Sequence, residues 1–302
     1  MIRVFFASYS LLLVFTIEVP IVVTALENPS RSLLIIAHRG ASAVAPENTL
    51  IAFKKAMELH ANAIELDVRL TKDSYLVVLH DAAVNRTTNG RGDIATMTLS
   101  EVRKLDAGSW FDPHFKNERI PTLNEVTEIL DTATILIIEI KEGNETYPGI
   151  EEQVLNLVKS NRLEGQVILK SFDQKVLRRI KEKAPQIPLL YVYVFTIPWL
   201  SITVDRGISA GELLDLNVDY LQPHKIFLSR SFVNQAQERG FKVIVWDVKD
   251  EDTMKEMIDL ENLLPIRNYV AHQNDTKRQK DLAEYWHRSE ERRGGKDCRT
   301  RS

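Results

Sequence analysis

The sequence predicts a parallel α/β fold, with a (β/α)8 barrel as its leading architecture. Three observations carry that expectation. Short apolar runs recur along the chain, most of them continuous in Val, Ile and Leu, as strands buried on both faces require. Amphipathic stretches of helical period separate them. A chain of 302 residues is long enough for one large domain of this kind with a substantial core.

In chain order, the first thirty residues read MIRVFFASYSLLLVFTIEVPIVVTALENPS. One early positive charge, a long apolar run and a small-residue end at Val23-Thr24-Ala25 give the order of a secretory signal over residues 1–25. An uncleaved anchor that keeps the protein near a membrane is the alternative, since the run is nearly long enough to span. Glu18 and Pro20 interrupt it and favour the signal. The expected location is outside the cell or in its envelope. Cys298 is the only cysteine, so no intrachain disulfide can form, and stability rests on the core and on any bound metal.

The barrel domain is expected over residues 33–260. Its strand candidates are residues 33–37, 63–68, 135–140, 167–170, 189–194, 218–221 and 243–248. Leu50, Phe53 and Met57 share a helix face, as do Val154, Leu155 and Val158, then Val176, Leu177 and Ile180. A further helix carries Phe232 and Ala236 toward Phe241. One stretch, AIELDVRLTKDSYLVVLHD, breaks the alternation: only Lys72-Asp73-Ser74 separates its two apolar runs. A parallel crossover needs a dozen or more residues, so the two runs pair as an antiparallel hairpin and bring His80 back toward Glu65 and Asp67. Residues 82–120 follow as a polar insertion, with a short helix opening at Thr98-Leu99-Ser100-Glu101.

Active sites of parallel α/β folds lie at the carboxyl ends of the strands. There the first strand ends in His38-Arg39, and the second carries Glu65 and Asp67 two positions apart, on one face. The hairpin returns at His80-Asp81, the strand ILIIEIK places Glu139 and Lys141 on one face, and the seventh ends in Trp246-Asp247. Singly, each has a plain reading: a hydrogen-bonded histidine, a charged strand face, an ion pair, and a helix start at Pro46-Glu47-Asn48-Thr49. Together, three carboxylates, two imidazoles, an arginine and a lysine would crowd one rim at a large desolvation and repulsion cost. A divalent metal ion offsets that cost, and three carboxylates with water form a hard-oxygen set suited to Ca²⁺ or Mg²⁺. Arg39 and Lys141 would then face an anionic substrate, with two histidines as an acid/base pair. That combination describes phosphodiester cleavage. No basic stripe interleaved with aromatics crosses the main body, which argues against a nucleic-acid partner.

These motifs, with LDAGSWFDPHFKNERIPTLNEV, Ser171-Phe172 and Val245-Trp246, resemble the glycerophosphodiester phosphodiesterase family over about residues 34–260. The resemblance implies a TIM barrel of the PLC-like phosphodiesterase type, with a small insertion after the hairpin. It implies that Glu65, Asp67 and Glu139 bind the metal and that His38 and His80 are the catalytic pair. Arg39 and Lys141 would contact phosphate, Glu47 and Asn48 would line or brace the site, and Trp246 would wall the substrate's alcohol portion. The implied reaction converts a glycerophosphodiester and water into sn-glycerol 3-phosphate and an alcohol. The nucleophile is water or the substrate's own glycerol hydroxyl. Lysophospholipase D, phosphoinositide-cleaving phospholipase C and an inactive exported binding protein are the alternatives. The resemblance fails after EDTMKEMIDL. The eighth barrel strand is expected to be missing or aberrant, with residues 263–271 its one weak candidate, and 261–302 reads as an aberrant tail. Its end, RSEERRGGKDCRTRS, resembles translated adapter DNA and so an artefactual gene end.

Overall fold

Among the described residues, eight parallel strands close into a barrel. The structure, a computed structural model, describes residues 34–193, 195–197, 202–205, 217–223, 230–248 and 268–271. The barrel strands are β1 (Leu34–His38), β2 (Ala63–Leu70), β4 (Ile135–Ile140), β5 (Val167–Ser171), β6 (Leu189–Tyr193), β9 (Tyr220–Pro223), β10 (Lys242–Val248) and β11 (Asn268–Ala271). Each pairs with the next, and β1 pairs with both β2 and β11, which closes the ring. The short β3 (Leu76–Val78) runs antiparallel to β2, as the hairpin reading requires. After β6, β7 (Phe195–Ile197) and β8 (Ile202–Asp205) form a separate antiparallel pair. The face of α1 (Leu50–Glu58) is turned slightly from the expected one: it buries Ala52, Phe53 and Ala56, with Leu50 and Met57 partly buried beside them, and the helix is capped by the Thr49 hydroxyl.

Alternation along the strands divides the interior into layers. Ile64, Leu66, Val68, Leu136, Ile138 and Leu169 point outward into the core shared with the helices. There they join Val126 of α3 (Leu123–Ile129), Val154 and Val158 of α4 (Ile150–Ser160) and Leu177 and Ile180 of α5 (Gln174–Lys183). The opposite parity points into the barrel, where Ile36, Ala63, Ile135, Ile137, Ile168, Leu190, Tyr220 and Ile244 form a closed apolar plug. Continuing that inward parity toward the carboxyl ends gives His38, Glu65 and Asp67, Glu139 and Lys170. Every functional side chain on β1, β2, β4 and β5 therefore stands on an apolar floor.

The insertion has a core of its own. Val84, Ile94, Val102, Ala107 and Ile120 pack with Val77 and Leu79 of the hairpin. Within it the short helix α2 (Leu99–Val102) starts where expected, with a capping box between Thr98 and Glu101. The motif LDAGSWFDPHF turns out to be turn architecture. The Asp106 carboxylate accepts backbone N–H bonds from Gly108, Ser109 and Asn117. A Cβ on Gly108 would stand 1.9 Å from the Phe115 carbonyl oxygen, so only glycine fits there.

Two sequence expectations shift. The strand expected at 218–221 is observed at Tyr220–Pro223, preceded by Asp219, whose carboxylate accepts the Leu189 N–H. The eighth strand is present but aberrant: β11 is four residues long, lies inside the 263–271 stretch, and pairs with β10 through a register shift. It falls beyond residue 260, so the ring closes with backbone from the divergent segment. Residues 1–33, where the export signal is expected, and residues 272–302 lie outside the described residues. No helix among the described residues is long and apolar enough to cross a membrane.

Deleting residues 261–302 removes β11 and leaves β1 and β10 with unsatisfied strand edges. The expected outcome is a lower Tm and greater binding of a hydrophobic dye than the full chain; an unchanged melting curve would show that β11 does not close the barrel.

Candidate active site

The site is laid out by strand register. His38 stands opposite Glu65, Asp67 opposite Glu139, and Glu139 opposite Lys170 across four neighbouring strands. All of these side chains are buried. Glu65, Asp67 and Glu139 each offer a carboxylate oxygen within 4.8 Å of the others. Two ammonium groups stand among them. Lys170 Nζ lies 2.6 Å from Glu65 Oε1 and 2.7 Å from Glu139 Oε2. Lys141 Nζ lies 3.0 Å from Asp67 Oδ1 and contacts Glu139 Oε1.

The loop after β1 supplies the second wall. Arg39, with a positive φ of 58°, and Gly40, with φ 80°, turn the chain sharply. A Cβ on Gly40 would come within 2.7 Å of the Ala52 backbone, so glycine lets this loop lie against α1. The turn points the Arg39 N–H at Glu65 Oε2 and its guanidinium at Glu47, 2.8 Å away. The Asn48 amide donates to Asp67 Oδ2 at 2.8 Å. His38 Nε2 lies 3.7 Å from Glu65 Oε2.

The hairpin supplies the third. Buried Arg69 donates twice to the His80 carbonyl, at 3.0 and 2.7 Å, and once to the Tyr147 hydroxyl. This fixes the backbone from which His80 projects. The His80 ring places Nδ1 2.6 Å from Asp81 Oδ1, leaving Nε2 as the nitrogen not engaged by that carboxylate. Burial lowers the His80 pKa from the ordinary 6.5; Asp67 opposes that effect while Lys141 and Arg39 add to it.

Electrostatics within the triad favour a further cation. Burial pushes the Glu65 carboxyl up, Lys170 pulls it down, and the charges of Asp67 and Glu139 raise it again. Asp67 is held low against its burial by Lys141 and Arg39, and Lys170 stays protonated against its burial because of Glu139 and Glu65. Among the described residues, Asp67 Oδ1, Glu139 Oε1 and Asn48 Oδ1 accept no well-directed hydrogen bond although buried. Lys141 meets the two carboxylate oxygens as an ion pair. Clustered hard oxygens with spare lone pairs and a carboxyl of raised proton affinity fit a divalent cation. Beside them opens a pocket of about 640 Å³ lined by Glu139, Lys141, Ser171, Phe172, Gln174 and Tyr191.

The structure thus brings together His38, Arg39, Glu47, Asn48, Glu65, Asp67, His80, Glu139 and Lys141. Trp246 lies on β10, but its side chain is outside the described residues. Sequence reasoning missed Lys170 as a site residue. The signal was available: a charge in VILKS two positions after Ile168, at inward parity, is buried and needs a partner. It also missed Arg86, which no periodicity marks.

The model of the glycerophosphoryl diester phosphodiesterase family matches residues 38–262. A glycerophosphodiester phosphodiesterase of Caldanaerobacter subterraneus is 43% identical over 228 residues, covering 74% of this chain and 89% of that protein. One from Bacillus subtilis is 38% identical over 246 residues, covering 77% and 82%. Among solved structures, an Oleispira antarctica phosphodiesterase in complex with the product sn-glycerol-3-phosphate superposes with a TM-score of 0.70 at 27% identity, covering 83% of this chain and 96% of that one. The glycerophosphodiester phosphodiesterase from Agrobacterium tumefaciens gives 0.64 at 27% identity, covering 80% and 96%.

Lys170→Met leaves Glu65 and Glu139 buried without their shared ammonium. Stability is expected to fall by about 3–5 kcal/mol, the usual cost of removing one partner of a buried ion pair. Adding Glu65→Gln to that variant is expected to recover part of the loss, read by denaturant unfolding in chelator. Equal stability of Lys170→Met and the parent would show that Lys170 is not the triad's counter-charge.

Proposed function

Because the chain belongs to the glycerophosphoryl diester phosphodiesterase family, we propose that it hydrolyses glycerophosphodiesters to sn-glycerol 3-phosphate and an alcohol. One observation carries the reading. A buried carboxylate triad is flanked by His38 and an Asp81-oriented His80, and Glu139 and Lys141 of the same cluster line an open pocket. Glu65, Asp67 and Glu139 would hold a divalent cation, Ca²⁺ or Mg²⁺. When bound, that cation offsets negative charge building on the phosphoryl oxygens.

The chain's own groups do the rest. Arg39, already aimed at the triad by Glu47, and Lys141, at the pocket wall, complement the phosphate. One histidine takes the proton of a water as its oxygen bonds to phosphorus. The other gives a proton to the alcohol oxygen as the old P–O bond breaks, so the charges balance across the step. The lowered pKa of His80 keeps it neutral, and so able to accept a proton, at neutral pH. The apolar plug beneath the triad closes the barrel to water from below and strengthens each of these charge interactions. The signal-like N-terminus supports export as the setting in which the enzyme works.

Release of sn-glycerol 3-phosphate from glycerophosphocholine is expected to stop in chelator and return on adding Ca²⁺ or Mg²⁺. Full activity after exhaustive chelation would sink the metal part of the reading. His38→Ala and His80→Ala are each expected to lower kcat by about 10²–10⁴-fold, the range for loss of a general acid or base. Near-normal rates in both variants would refute the two-histidine mechanism.

A further inference from the structure

Arg86 lies in the insertion, yet its guanidinium reaches two carboxylates that belong to different walls of the site. Nη1 and Nη2 grip Glu47 in bidentate fashion at 2.9 and 2.8 Å. Nε and Nη2 donate to the two oxygens of Asp81 at 2.6 and 3.2 Å. Each carboxylate already holds a group of the proposed chemistry. Glu47 Oε1 accepts from Arg39 Nη1 at 2.8 Å, and Asp81 Oδ1 meets His80 Nδ1 at 2.6 Å. The result is one continuous chain, Arg39–Glu47–Arg86–Asp81–His80, joining the loop after β1 to the return of the hairpin. We propose that Arg86 is a positioning residue that sets the phosphate-facing Arg39 and the His80 ring together.

The plain alternative is that Arg86 merely ties the insertion to the barrel. Two features speak against it. The insertion is anchored without Arg86, through its apolar core on Val77 and Leu79 and through Arg103, which pairs with Glu125 on α3. And four donor contacts from one planar fork are more than tethering needs. They fix the orientation of both carboxylates, which a point charge cannot do. Without Arg86, Glu47 and Asp81 lose the cation between them, and Asp81 is free to rotate away from the His80 ring. Glu47 would then be shared by Arg39 alone.

The inference rests on the roles proposed for His80 and Arg39, so the experiment carries both. Arg86→Gln and Arg86→Lys are both expected to lower kcat/KM by roughly 10- to 100-fold, the usual effect of removing a group that orients a working side chain. The loss should appear in kcat, through His80, and in KM for glycerophosphocholine, through Arg39. Arg103→Gln, which loosens the same insertion, is expected to keep kcat and KM, with a Tm drop at least as large as that of Arg86→Gln. Combining Arg86→Gln with Asp81→Asn should add little to the larger single loss. In ¹⁵N spectra, the His80 ring should pass from one tautomer to a mixture in both Arg86 variants. Normal kcat and KM in Arg86→Gln beside an inactive His80→Ala would overturn this proposal alone. Parallel losses in Arg86→Gln and Arg103→Gln with an unchanged His80 tautomer would reduce Arg86 to a tether, and an active His80→Ala would remove the reading beneath it.

Discussion

Everything in the site depends on a buried layer of charge that is nearly balanced by the protein's own cations. Three carboxylates inside a barrel carry a desolvation cost that apolar packing cannot offset. Lys170 bridges Glu65 and Glu139, and Lys141 bridges Asp67 and Glu139, so each ammonium serves two carboxylates. Glu139 is the shared member, and it faces Asp67 on one side and Lys170 on the other in the strand register. Glu65 has its proton affinity raised first by burial, with the charges of Asp67 and Glu139 adding to that effect and Lys170 opposing it. A site meant to receive a cation needs carboxylates that are kept charged but not saturated.

The apolar plug makes that balance consequential. Ile36, Ala63, Ile135, Ile137 and Ile168 fill the barrel directly below the charged layer. With packed hydrocarbon on one side, charges at the rim are screened only from the open end, where the pocket lies. The same two-residue period produces both layers, since Ile137 and Glu139 share a face, as do Ile168 and Lys170. Fold and site are one pattern read at two heights.

That pattern explains what was legible in the sequence. Glu65-x-Asp67 and Glu139-x-Lys141 stand out because charged side chains at period 2 in or beside runs of Ile and Leu have nowhere to go but the interior. The hairpin was legible from three turn residues too few for a crossover. Lys170 obeys the same rule but stands as a single charge near a strand end, and one charge there has an ordinary solvent-facing explanation. Arg86 was illegible for a different reason. Its meaning lies in two partners 39 and 5 residues away, brought together only by the hairpin's return. β11 was faint because Asn268–Ala271 is short, and a barrel's last strand is specified by the two edges awaiting it as much as by its own side chains.

The hairpin and insertion then acquire a structural purpose that the barrel alone lacks. A bare β2–α–β4 unit would end at Leu70 and turn straight into a helix, leaving no second histidine at the rim. Extending β2 and returning through β3 carries His80 back over Asp67, and Arg69, on β2 itself, catches its carbonyl twice. Backbone capture fixes where His80 stands; Asp81 fixes how its ring is turned. The first constraint is built into the sheet and rests on a buried arginine, whereas the second runs through a half-exposed arginine of the insertion. The site's carboxylate floor is therefore set by strand register, and its His80 wall by a hydrogen-bonded chain that crosses from one loop to another. Variation in the insertion can retune the second without disturbing the first.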